Sequence, residues 1–258
     1  MNSIKFLGTA GARFVVMKQL RASGGLWISL DGTQVLIDPG PGSLLRMLSS
    51  RPKLDPKDLD GIILTHRHLD HSNDVNIIIE AMTNGGTQRK GVVFAPRDAY
   101  EDDPVVLQYL RGFVERLEVL QENKTYHLGT INFSTPIRHQ HGVETYGLNI
   151  QGKHQSISLI TDTQYFPGLE THYHGDVLVI NVVRFEEKPG LEHLCVDDAE
   201  KIFSKNQPQL GVITHFGMTV LKEKPWEVAE MLSQKTGVHV LAARDGMTIN
   251  LDQLNNDG

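Results

Sequence analysis

Short apolar runs punctuated by turn residues recur along the chain. Ile4-Lys5-Phe6-Leu7, Leu26 to Leu30 and Val35 to Asp38 read as strands, the last two joined at an Asp31-Gly32 hairpin turn. The uninterrupted runs Gly61 to Leu64, Gly91 to Ala95, Val177 to Ile180 and Leu210 to Ile213 have the character of strands buried on both faces. Further strands are expected near 117–120, 124–128 and 130–135, with a second hairpin pairing 146–151 with 156–161. A short helix is predicted from about Ser43 to Leu48. Helical spacing also follows Asp70-His71 through Val75, Ile78, Ile79 and Met82. Asp197 is placed to cap a helix through Ala199, Ile202 and Phe203, and residues 226–235 form an amphipathic helix. The stretches 238–241 and 247–251 are expected to close the chain as a hairpin around Arg244-Asp245-Gly246. Residues 101–116, helical or irregular, have the least regular pattern and are a candidate cover for a site.

At 258 residues the chain can bury a sizeable core. Neither a linker-like stretch nor a repeat of solenoid period divides it, so residues 1–258 are read as a single domain. No apolar run approaches the roughly 20 residues that a membrane helix needs. Lys5, Arg13 and Lys18 interrupt the N-terminal apolar stretches, so neither a signal peptide nor a membrane association is expected, and a cytoplasmic location is. The lone Cys195 excludes an intrachain disulfide and has no partner cysteine for a thiolate metal site. A net charge of −6 argues against a general nucleic-acid binder, which carries a basic footprint.

The chemistry concentrates in Thr65-His66-Arg67-His68-Leu69-Asp70-His71, at a strand-to-helix turn. Imidazole nitrogen and carboxylate oxygen are ligands that zinc, iron and manganese accept. In an extended turn, residues two apart point the same way, so His66 and His68 can grip one ion while Asp70 and His71, beyond the bend, face a second. His139 and His141 are also two apart on an extended segment, and either could join them. Asp38 and Asp162 each end an apolar strand, and His215 follows another. The small-residue turn Gly8-Thr9-Ala10-Gly11 lets the backbone approach another group closely. His127, His154, His172, His174 and His239 carry no motif and are read as surface or structural histidines.

The His-x-His-x-Asp-His stretch resembles the signature of the metallo-β-lactamase-fold hydrolases, nearest their ribonuclease Z and small-phosphodiesterase branch. The resemblance implies an α/β, four-layer αββα sandwich with metals at one edge between the sheets. It also implies a ligand set. His66, His68 and His141 hold one divalent ion, Asp70, His71 and His215 hold the other, and Asp162 bridges them. His141 is preferred to His139 because it precedes an aromatic-glycine pair, Tyr146-Gly147, by about five residues, as in ribonuclease Z. Asp38 would accept hydrogen bonds from the metal-binding turn without touching metal. The His193-Leu194 context matches a family histidine beside the metals, so His193 is expected to serve as general acid or to hold the substrate's phosphate. Asp70 is counted as catalytic as well as a ligand, and Arg184 is a candidate cation for an anionic substrate.

The expected activity is a phosphodiesterase acting on a small or cyclic phosphate ester, with zinc favoured over manganese or iron. Water shared by two such ions is acidic enough to attack phosphorus near neutral pH. A lactone, carboxylic ester or thioester hydrolase with the same metals is the alternative. Ribonuclease Z enzymes usually carry a long arm between the third histidine and the bridging aspartate. The short segment between His141 and Asp162 leaves room for two strands and a turn. A small anionic partner is therefore expected rather than long nucleic acid, and a homodimer stays open.

Overall fold

The computed structural model describes residues 1–256. Fourteen strands form two seven-stranded sheets. The first half of the chain lays down β1 (Ser3–Phe6), β2 (Leu26–Leu30), β3 (Thr33–Ile37), β4 (Gly61–Ile63), β5 (Val92–Ala95) and β6 (Arg116–Val119). The second lays down β7 (Lys124–Leu128), β8 (Ile131–Thr135), β9 (Leu148–Gln151), β10 (Ser156–Ile160), β11 (Val177–Asn181), β12 (Leu210–Thr214) and β13 (Val240–Ala242). A last strand, β14 (Thr248–Asn250), returns to the first sheet. The orders are β14-β1-β2-β3-β4-β5-β6 and β13-β12-β11-β10-β9-β8-β7.

Each sheet begins antiparallel and turns parallel at its centre. β1, β2 and β3 pair antiparallel, then β3 to β6 run parallel; β7 to β10 pair antiparallel, then β10 to β13 run parallel. The carboxyl ends of the central strands consequently come to one edge, the place where open α/β sheets hold ligands.

The helices are α1 (Ala12–Met17), α2 (Ser43–Ser49), α3 (Leu69–Ser72), α4 (Val75–Met82), α5 (Val196–Asn206), α6 (Met218–Lys222) and α7 (Pro225–Thr236). Alternation along the strands sorts the apolar side chains into layers. Val177 and Val179 of β11 point between the sheets, where they meet Phe6, Ile37, Phe94 and Phe133. Leu178 and Ile180 point outward onto Ile202 and Phe203 of α5 and Leu232 of α7. On the opposite outer face Leu36, Ile62 and Val93 pack against Met47 of α2 and Ile78 and Ile79 of α4. Helix, sheet, sheet, helix is the expected four-layer αββα order. It explains why the central strands are apolar throughout, since both faces are covered.

Three local readings change. The closing hairpin does not form. β13 adds parallel to β12 through the α7 crossover, and Arg244-Asp245-Gly246 then carries the chain to the other sheet, where β14 pairs antiparallel with β1. The cap of α5 is Cys195, not Asp197. Asp198 accepts from the Cys195 backbone N–H at 3.1 Å and Asp197 lies exposed in the first turn. The helix after Asp70-His71 is broken into α3 and α4, because Asp74 donates its N–H to the Pro39 carbonyl and its carboxylate accepts from Leu44 N–H.

Residues 101–116 are mostly irregular, and Asn76 of α4 pins them by donating to the Val105 carbonyl (2.8 Å) and accepting from Leu107 N–H (3.0 Å). Val106, Leu110 and Val114 bury into the outer layer beneath α4, so the segment is clamped to the flank of the first sheet. Its tie to the histidine-rich turn is Arg67, which donates to the Asp103 carbonyl at 2.6 Å. Among the described residues no helix is long and apolar enough to cross a membrane.

Candidate metal centre

Two carboxyl ends of the first sheet build one wall of the site. β3 ends in Asp38, whose backbone takes a positive φ of 52°, and β4 runs into Thr65-His66. The Asp38 carboxylate accepts three hydrogen bonds: from Thr65 N–H (2.7 Å), from the Thr65 hydroxyl (2.6 Å) and from His71 Nδ1 (2.9 Å). Asp38 thus holds the turn by its backbone and sets the His71 tautomer, leaving Nε2 of His71 free to face the site.

The second sheet builds the other wall. Asp162 follows β10 and His215 follows β12, while Asn181 at the end of β11 donates to Asp162 Oδ1 at 2.9 Å. The β8–β9 connection delivers His141, and the segment before α5 delivers His193.

Donor atoms of His66, His68 and His141 lie within 4.8 Å of one another, as do those of Asp70, His71 and His215. Nδ1 of His68 and Nε2 of His141 face each other at 3.1 Å. Asp162 Oδ2 sits 3.6 Å from His71 Nε2, Oδ1 sits 3.4 Å from His215 Nδ1, and Asp70 Oδ2 is 3.5 Å from His215 Nε2. His66 Nε2, His71 Nε2 and both ring nitrogens of His215 are buried without a hydrogen-bond partner. Each such orphan costs about 1–3 kcal/mol if nothing binds it. Several of them converging with two carboxylates fit divalent cations as the missing partners.

The electrostatics separate the two clusters. Burial, reinforced by the neighbouring His71, drives His66 well below the usual imidazole range; burial also lowers His68 and His141. Neutral imidazole is the form that binds a metal. His71 goes the other way: burial opposes its charge, but Asp70, Asp38 and Asp162 together raise it well above its ordinary value. Asp162 is held far below the carboxylate range despite its burial, chiefly by His215 and His71. It is the anion around which the histidines gather.

His139 is not in either cluster. It is fully buried, and its Nε2 pairs with the Tyr173 hydroxyl at 2.7 Å; burial pulls its pKa down to about 3. His193 does reach the site, with Nδ1 3.6 Å from Asp162 Oδ2 and its ring centroid 5.1 Å from that of His141. Arg184 does not join the ligands. Its backbone N–H contacts the Leu194 carbonyl beside His193, its Nε is buried without a hydrogen-bond partner, and no ion pair links it to a ligand carboxylate among the described residues. Two further groups bear on the ligands without belonging to any motif: Asn181, and Glu192, whose carbonyl accepts from His141 Nδ1 at 3.0 Å. Asn181 carried a readable signal, a polar residue ending an apolar strand just as Asp162 does. A backbone carbonyl carries none.

The Beta-lactamase superfamily domain matches residues 33–216, a span that runs from β3 through His215. The chain belongs to the metallo-β-lactamase superfamily. An uncharacterized protein of Methanocaldococcus jannaschii, MJ1374, is 30% identical over 96% of this chain and 94% of its own length. A ribonuclease Z of Kineococcus radiotolerans is 35% identical over 37% of this chain and 29% of its own. The solved metallo-β-lactamase-fold protein YhfI of Bacillus subtilis superposes with a TM-score of 0.78 at 17% identity, covering 96% of this chain and 98% of that one. A diphosphatase of the PhnP family gives 0.71 at 21% identity, covering 97% and 98%. At these identities the solved structures establish the shared fold. The His/Asp clusters are of the kind that forms a metal site in this superfamily.

Proposed function

We propose that this superfamily member is a dinuclear metal-dependent phosphodiesterase acting on a small or cyclic phosphate ester. The observation that carries the reading is Asp162. Its carboxylate lies within 3.6 Å of His71 and His215 of one cluster and of His193, which belongs to neither, and its charge acts on His66, His68 and His141 of the other. His66, His68 and His141 would hold one ion, Asp70, His71 and His215 the other, and Asp162 both. Zinc suits this donor set best, with manganese or iron as alternatives. Two such ions supply an acidified water and Lewis-acid stabilisation of charge on the substrate.

The chain's own residues do the rest. Asp38 keeps the proton of His71 on Nδ1, so that Nε2 presents a lone pair. The Glu192 carbonyl does the same for His141. Asn181 orients Asp162 and leaves its Oδ2 turned toward His71 and His193. His193 is half-buried, and burial lowers its pKa against the opposing pull of Asp162. A protonated imidazole there can donate to the leaving oxygen of an ester. Asp70, partly exposed at the mouth, is placed to hold the reacting water as well as an ion. The Arg184 guanidinium remains a candidate cation for the substrate's charge.

Support for phosphorus over carbon chemistry comes from His193, since a phosphodiester with a poor leaving group needs an acid. The local match to a ribonuclease Z and the fold shared with a diphosphatase point the same way. Hydrolysis of a lactone, carboxylic ester or thioester at the same centre is the second reading. The substrate is expected to be small. The segment between His141 and Asp162 holds a six-residue loop (142–147) and then β9 and β10 with their short turn, so no arm is built there for a long RNA. A panel of phosphodiesters, lactones and thioesters, run on zinc-loaded protein, tests this. Turnover of phosphodiesters above the others is expected, and a preference for lactones or thioesters would contradict it.

A further inference from the structure

The histidines around the centre are not oriented alike. His66, His71 and His141 each have a ring nitrogen hydrogen-bonded outside the clusters: to the Thr65 hydroxyl (3.1 Å), to Asp38 (2.9 Å) and to the Glu192 carbonyl (3.0 Å). Such partners fix a ligand's ring and tautomer. His215 has none: its buried ring nitrogens make no hydrogen bond and face only Asp162 Oδ1 (3.4 Å) and Asp70 Oδ2 (3.5 Å), both members of the centre itself. Its backbone is also in the left-handed region, φ 58°, which costs energy and persists where the surroundings impose it. Something other than a ring hydrogen bond must therefore aim this imidazole.

The surroundings of His215 are supplied by the N-terminal turn. Gly11 lies so close that a Cβ there would fall 1.9 Å from the His215 carbonyl oxygen and 2.6 Å from its Nδ1. The glycine backbone therefore presses directly on both the main chain and the ring. The turn is stitched to the residue after His215 on both sides: Phe216 N–H donates to the Thr9 carbonyl (2.8 Å), and Gly11 N–H donates to the Phe216 carbonyl (3.0 Å). The turn is in turn held by Asp245. One carboxylate oxygen accepts from Thr9 N–H (2.9 Å) and from the Thr9 hydroxyl (2.7 Å), and the other accepts from Ala22 N–H (2.7 Å). Ala10 N–H then closes the loop on the Ala22 carbonyl at 3.0 Å.

We infer that Asp245, acting through the Thr9–Gly11 turn, is the positioning residue for His215 and hence for the ion held by Asp70, His71 and His215. The carboxylate replaces, through the backbone, the ring hydrogen bond that His66, His71 and His141 have. It touches neither metal nor substrate. The inference rests on the reading of two ions at this centre. It predicts that damage to the brace weakens one ion and spares the other. The clusters share Asp162 but not their histidines, and His66, His68 and His141 owe nothing to the Asp245 network.

The test is a stepwise zinc titration of the full chain against a chromophoric chelator, with the melting temperature of the chelator-treated protein measured alongside. His215→Ala identifies which binding step belongs to its cluster. Asp245→Asn keeps the shape but removes the acceptor for Ala22 N–H, or for Thr9 if the amide flips. Gly11→Ala disturbs His215 while leaving Asp245 intact. In both variants the step lost in His215→Ala should weaken by about 10–100-fold, the cost usual for losing a ligand's support. The other step should keep its affinity. Equal weakening of both steps, or wild-type affinity at both, would overturn the inference. If Asp245→Asn does not fold, Thr9→Val, which removes the hydroxyl that donates to Asp245 and does not touch His215, decides by the same two steps. A wild-type protein that binds a single ion would instead overturn the two-ion reading, and this inference with it.

Discussion

Asp38 shows how much a single carboxylate can be asked to do. It accepts from Thr65 twice and from His71 once, so Asp38→Asn would set an amide NH2 against a hydroxyl or an imidazole N–H. The expected result is a loss of about 10–100-fold in metal affinity, because the tautomer of His71 is no longer enforced. Metal analysis after dialysis checks this. Asp162→Ala should be more severe and strip metal from the protein, while far-UV circular dichroism stays that of folded sheets; full metal content in that variant would remove its bridging role. His193→Ala should behave in the opposite way. Metal content should stay intact while turnover falls by about 10²–10⁴-fold on an ester with a poor leaving group, the usual worth of a positioned acid. Unchanged turnover on that ester would end the acid assignment. The residues that could be read in advance are those whose chemistry shows in their type and whose place shows in the chain: histidines two apart on a turn, or an aspartate at the end of an apolar strand. What stayed hidden is carried by backbone atoms, such as the Glu192 carbonyl on His141. Positive φ angles at Asp38 and His215 were equally invisible.

The strands were legible because burial on both faces leaves continuous apolar runs. Their pairing was less so. β13 and β14 look like a hairpin, two short apolar stretches around Arg-Asp-Gly, yet they belong to different sheets. Local spacing cannot distinguish a hairpin from a crossing between layers when the turn is equally short. The cap of α5 failed for a related reason, since Asp197 and Asp198 are both good candidates and only the structure tells which one faces inward. Asp198 is buried and also accepts from the Cys195 thiol at 3.1 Å. Asp198→Ala should therefore lower stability by about 0.5–2 kcal/mol, as loss of a helix cap does. Asp197→Ala should cost less, about 0.3–1 kcal/mol at most through the helix dipole. Urea denaturation of the metal-loaded proteins separates the two, and a larger effect at Asp197 would restore it as the cap. Metal content should be unchanged in both.

The two sheets bring their carboxyl ends to one edge, and each contributes a part of the centre that is useless alone. Asp38 and the His66–His71 turn come from the first sheet. Asp162, Asn181 and His215 come from the second, and Asp162 crosses the gap to His71. Such a site forms only when the sandwich has closed, and metal binding should therefore stabilise the whole molecule by mass action. Removing metal should lower the melting temperature without abolishing the fold, because the layers of core lie beneath the edge rather than at it. The most direct test of the account is a metal titration of phosphodiester hydrolysis. Protein stripped with a chelator is assayed on bis(p-nitrophenyl) phosphate as zinc is returned in steps. The account predicts no hydrolysis without metal and a rise that breaks at two ions per chain. Full activity with a single ion, or no phosphodiester hydrolysis at any zinc content, would contradict it.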